Sequence, residues 1–61
     1  MTVFLKDTDT GKVLFRIKDT SVIPNVGESI LFNNTYYTAL KRIFYYNDAF
    51  SDCTILVKKD A

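Results

Sequence analysis

The chain has 61 residues, a formal net charge of +1 and no His, with 48% apolar and 25% charged residues. That length fits a single small domain over residues 1–61, and four Tyr plus five Phe exclude disorder on composition. One Cys and no His exclude a disulfide framework, a zinc site and imidazole-based catalysis, and no apolar run approaches a membrane span.

Short alternating apolar patterns predict strands along the whole chain. The apolar stretch after Met1 is far too short for a signal h-region, and lone Cys53 accords with a reducing compartment, so a cytoplasmic protein is expected. Val3 and Leu5 share one face of a first strand, with Phe4 and Lys6 on the other. Asp7 to Gly11 is a turn, with Gly11 placed for a left-handed conformation. Val13, Phe15 and Ile17 then alternate with Leu14, Arg16 and Lys18. Asp19-Thr20-Ser21 breaks that strand, and residues 23–28 form an irregular connection around Pro24 and Gly27.

Ser29 to Phe32 is a third short strand with Ile30 and Phe32 on one face, and Asn33-Asn34 suits a type I′ hairpin turn. Thr35 to Tyr46 is ambiguous by pattern. Leu40, Ile43 and Phe44 sit at helical spacing, but the residue types favour a strand and the hairpin turn demands a partner. A long bent strand is predicted, with a bulge near Lys41-Arg42 that keeps Leu40 and Ile43 inward. Asn47 to Asp52 is a loop, and Cys53 to Lys59 a last strand with Cys53, Ile55 and Val57 inward.

Five short strands in so short a chain close most simply into a small barrel. The run Ile23-Pro24-Asn25-Val26-Gly27-Glu28-Ser29-Ile30, followed by a hairpin and then Tyr37 and Ile43, resembles small SH3-like β-barrels. In several of those families a Pro-x-x-Gly-acid-x-aliphatic turn opens a strand, and an aromatic-rich hairpin strand follows. The resemblance spans residues 23–46 and implies a fold, since such barrels host many unrelated functions. The expected class is all-β: a five-stranded antiparallel SH3-like barrel or a curled meander sheet. A sheet carrying one helix over residues 35–46 is the alternative.

Chemistry is sparse. Every carboxylate lies in an expected turn or near an end, where Asp is favoured for its hydrogen bonds to nearby backbone, so no enzyme is expected. Asp7-Thr8-Asp9-Thr10-Gly11 imitates the start of a calcium loop, yet Lys12 and Lys18 occupy the positions that need Gly and Glu, so a hairpin turn is the better reading. No metal and no cofactor follow. Cys53 reads as a buried packing thiol.

Binding is the remaining class. One barrel cannot bury both faces of its strands, so Phe44, Tyr46 and Leu56 are expected to point outward and, with Tyr36 and Tyr37, to form a protein-binding or self-association surface. Leu14 and Leu31 are candidates to join that outward set. Such a chain would suit a phage or mobile-element accessory protein, or a small regulatory adaptor. The alternative is a single-stranded nucleic-acid platform in which Lys41, Arg42, Lys58 and Lys59 meet phosphates and Tyr45 stacks on bases.

Overall fold

The alternation along the sequence becomes the pleat of one five-stranded sheet in the computed structural model, which describes residues 1–61. The strands are β1 (Thr2–Asp7), β2 (Val13–Ile17), β3 (Ser29–Phe32), β4 (Thr35–Tyr46) and β5 (Ser51–Lys59). They lie side by side in the order β2-β1-β5-β4-β3. The protein is all-β, and residues 35–46 are strand throughout. No helix is long and apolar enough to cross a membrane.

Three local hairpins, the third joining β4 and β5 through residues 47–50, and one long-range ladder build the sheet. β1 and β2 pair through the Asp7–Gly11 turn, where Gly11 has φ 75° as its position demands. β3 and β4 pair through Asn33 and Asn34, both left-handed at φ 48° and 59°, the geometry a type I′ turn requires. β1 and β5, the two ends of the chain, pair in parallel rather than antiparallel, with Val3 beside Cys53 and Leu5 beside Ile55. A parallel pair needs a long crossover, and here β2, β3 and β4 supply it.

The sheet is curled into a half-barrel. Phe15 on β2 and Phe32 on β3 belong to the two outermost strands, yet their ring centroids lie 5.4 Å apart. The curl thus brings the sheet's edges together through side chains, with no ladder between them. Val3, Leu5, Tyr37, Ala39, Cys53, Ile55 and Val57 form the buried core inside the curl, with Met1, Leu14, Ile23, Ile30 and Phe32 packed against it. Burying each of Val3, Ile55 and Val57, all fully inaccessible, contributes about 1.5–3 kcal/mol. Leu14 therefore turns toward the core, contrary to its expected outward role, whereas Leu31 is exposed.

The segment between β2 and β3 is held at both ends. Thr20 N donates to Met1 O at 3.1 Å, and Gly27 N and Ala39 N exchange bonds with Ala39 O and Glu28 O at 2.8 and 3.0 Å. Ile23 inserts into the core between these anchors. A shallow open depression lies against this segment, lined by Val22, Ile23, Pro24, Glu28 and Ser29.

Candidate functional site

The phase of β4 decides which side chains the molecule displays. Ala39 pairs with Val57 and Lys41 with Leu56, so Leu40 is the extra residue of a β-bulge. After it, Arg42 stands opposite Ile55, Phe44 opposite Cys53 and Tyr46 opposite Ser51. Directly opposed residues share a face. Arg42, Phe44 and Tyr46 therefore lie on the core side, while Lys41, Ile43 and Tyr45 lie on the convex side. This reverses the expected assignment, in which Leu40 and Ile43 point inward and Phe44 and Tyr46 outward. Leu40 and Ile43 are 45% and 43% exposed. The cause is the phase in which β4 enters its bulge. Tyr37 and Ala39 face the core, so after one extra residue Arg42 and Phe44 do, whereas the expected reading starts from Leu40 inward.

Phe44 and Tyr46 remain exposed because the core runs out beneath them. β1 covers β5 only from Asp52 to Val57, and β3 covers β4 only up to Thr38, with the Gly27 and Glu28 bonds extending cover to Ala39. Past Ala39, β4 is therefore an outer edge backed by β5 and β1, and only Tyr46, Ser51 and the turn between them project beyond β1. Residues 40–50 form this arm at one end of a molecule that measures 39 × 20 × 19 Å. On its core-side face the Arg42 guanidinium sits 5.1 Å from the Phe44 ring centroid, and Phe44 stacks on Tyr46 at 6.2 Å and 11°. On the other face Tyr45 packs against Phe50 at 5.7 Å. Tyr45, Tyr46 and Phe50 are each about half exposed or more, at 58%, 67% and 49%.

The arm is ordered by its own chemistry. Asn47 Oδ1 accepts from Ala49 N and Phe50 N at 2.8 and 3.0 Å, and Asn47 N donates to Phe50 O at 3.0 Å, which fixes the tip. At its root, Arg42 Nη1 donates to Asn25 Oδ1 at 2.9 Å, tying the arm to the β2–β3 segment, while Arg42 Nε is buried without a partner. Rings held in fixed positions lose little freedom when a partner covers them.

The expected site residues separate in space. Of Phe44, Tyr46, Leu56, Tyr36 and Tyr37, only Phe44 and Tyr46 come together. Tyr37 is a buried core residue, Leu56 is half-buried on the convex face opposite Lys41, and Tyr36 is exposed near the other end of β4. The expected nucleic-acid set divides as well. Lys41, Tyr45 and Lys58 fall on the convex face, whereas Arg42 and Lys59 fall on the other. Tyr45 lies opposite Asp52, six residues along β5 from Lys58, a separation of roughly 20 Å. Ile43, expected inward, and Phe50, in the expected loop, are both exposed on the arm, and the period-two spacing of Arg42, Phe44 and Tyr46 marks the stripe on its other face.

Elsewhere the polar groups are structural. Asp7 is buried and accepts from Asp9 N at 2.9 Å, closing the β1–β2 turn. Cys53 is fully inaccessible, and burial pushes its thiol pKa up against the opposing pulls of Arg42 and a backbone hydrogen bond from Ile43. Compared with known proteins, the chain matches no family model, no curated sequence and no solved structure at significant similarity. The geometry alone carries the functional reading.

Proposed function

We propose that this protein is a non-catalytic binding module that acts by protein–protein contact, with another protein or with itself, through the β4–β5 arm. One observation carries the reading: Phe44 and Tyr46 on one face of the arm, and Ile43, Tyr45 and Phe50 on the other, are large and exposed beside a tip turn fixed by Asn47. Clustered exposed rings of this kind are common at recognition surfaces, because Tyr and Phe give much contact area for little lost entropy. The reading places the protein in the cytoplasm, where a reducing environment suits the free buried thiol of Cys53. A role as a small adaptor, or as an accessory protein of a phage or mobile element, accords with so minimal a scaffold.

Single-stranded nucleic acid is the weaker reading, since Lys58 lies roughly 20 Å along the sheet from Tyr45, and Arg42 and Lys59 fall on the opposite face from it. The test is affinity capture from cell lysate with the natural chain and with Tyr45→Ser/Tyr46→Ser. Both tyrosines are mostly exposed, so the variant should keep its β-type circular dichroism and lose the captured protein. Equal capture by both chains would refute the proposal.

A further inference from the structure

The arm has an open backbone edge as well as open faces. β3 pairs with β4 no further than Thr38, and the Gly27 and Glu28 bonds to Ala39 end the cover. From Leu40 to Tyr46 the outer edge of β4 has no strand beside it, and at Asn47 the strand gives way to the tip turn. An uncovered edge is a template for another strand. Natural edges are protected by bulges and charges, and along this edge only Leu40, Lys41 and Arg42 are of those kinds, so a partner strand must offer them rings and not cations. Residues Ile43-Phe44-Tyr45-Tyr46 carry no charge and no Pro, and all are types that favour strands.

We infer that this edge pairs with the same edge of a second copy, antiparallel about a two-fold axis at Ile43, so that two half-barrels join into one continuous ten-stranded sheet. This rests on the reading of the arm as a contact surface and names its occupant. Two features make the edge complementary to its own copy in this register. The first is length: the free edge runs from 40 to 46, bounded by Glu28 on one side and the turn on the other, and its midpoint is Ile43. Pairing about that midpoint sets Leu40 against the partner copy's residue 46 and uses the whole edge with no overhang.

The second feature is charge. About Ile43, Arg42 faces Phe44 of the other copy and Lys41 faces Tyr45 of the other copy, so every cation meets a ring. The contact Arg42 makes within its own chain, 5.1 Å over Phe44, would thus be repeated across the axis. Moving the axis to Arg42 would instead oppose two guanidiniums and would collide with the Gly27–Glu28 bonds at Ala39. A two-fold axis normal to the sheet keeps like faces together, so the two Arg42–Phe44–Tyr46 stripes merge into one.

Disulfide trapping reads the register directly. Residues that meet on such an axis have Cβ atoms about 4.5–5.5 Å apart, close enough for a disulfide to form with slight adjustment. Ile43→Cys should therefore link into a covalent dimer under mild oxidation, whereas Tyr45→Cys, roughly 13 Å from its equivalent, should not. Cys53 is inaccessible and should leave the natural chain unlinked. Light scattering on the natural chain should report twice the monomer mass at about 100 μM, and Ile43→Glu should weaken association at least about tenfold with an unchanged circular dichroism spectrum. Linkage through Tyr45→Cys but not Ile43→Cys, or a natural chain that stays monomeric, would overturn the inference. A monomer whose lysate capture still depends on Tyr45 and Tyr46 would overturn self-pairing while leaving the binding reading intact; a monomer that captures nothing would remove both.

Discussion

Deleting Leu40 should leave the protein folded, although the residue lies in the middle of its longest strand. The ladder explains why. Ala39 opposes Val57 and Lys41 opposes Leu56, so removing Leu40 turns a two-against-one step into regular pairing and changes the face of no other residue. Val57, Ile55 and Cys53 keep their partners Ala39, Arg42 and Phe44. Leu40 is 45% exposed, so the lost burial is worth about 1 kcal/mol, or half of a fully buried Leu. A regained regular hydrogen bond offsets about 0.5–1.5 kcal/mol of that. The net change should stay within about 1 kcal/mol, against roughly 3–5 kcal/mol that a core this small supplies.

The contrasting deletion, of Leu56, removes the single residue opposite the bulge. It inverts β5 from Ile55 back to Ser51, turning Ile55 and Cys53 outward and Thr54 and Asp52 inward. Loss of Ile55 burial alone costs about 1.5–3 kcal/mol, and a desolvated carboxylate costs more, so the chain should not fold. Thermal melts followed by far-UV circular dichroism decide between the two. The Leu40 deletion should melt within about 8 °C of the natural chain. An unfolded Leu40 deletion, or a folded Leu56 deletion, would refute the register on which the arm's display of rings depends.

Other outcomes follow from single positions. Asn34 has φ 59°, so Asn34→Gly should hold or raise stability while Asn34→Val should lower it by about 1–2 kcal/mol in urea titration. Ile55 is fully buried, and Ile55→Ala should cost about 2–5 kcal/mol and leave the protein largely unfolded at 37 °C by circular dichroism. Burial raises the Cys53 pKa above 9.0, so above that pH the unfolded chain loses a proton that the native state retains, and stability falls. The natural chain should lose urea stability faster than Cys53→Ala above about pH 9, and the two should run parallel below it.

Residue pattern is enough to place the tight turns and the buried face of β5, but not the bulged strands: in β2 an irregularity between the Leu5–Phe15 and Lys6–Val13 pairs turns Leu14 toward the core. Asn33-Asn34 identified its hairpin, Gly11 its turn, and Cys53, Ile55 and Val57 the buried face of the last strand. β4 was different because large apolar residues occupy both phases of Leu40 to Tyr46, so alternation gives no preferred face. The phase is fixed by one bulged residue, whose position depends on β5 and not on the local sequence. Parallel pairing of β1 with β5 is likewise a contact between the chain's ends, and no local pattern encodes it. For the candidate site this meant that the ring-bearing stretch was visible but its grouping was not: Phe44 and Tyr46 stayed together, Leu56, Tyr36 and Tyr37 scattered, and Phe50 joined through the tip turn.

The most direct test of the arm as the binding surface is an amide-shift map by two-dimensional NMR, recorded as the natural chain is titrated with its captured protein or concentrated alone. The account predicts shifts and line broadening confined to residues 40–50, with Lys6, Arg16 and Lys58 and the Val22–Ser29 depression unperturbed. Perturbation centred on those lysines or on that depression, with the Ile43–Phe50 amides unchanged, would contradict it.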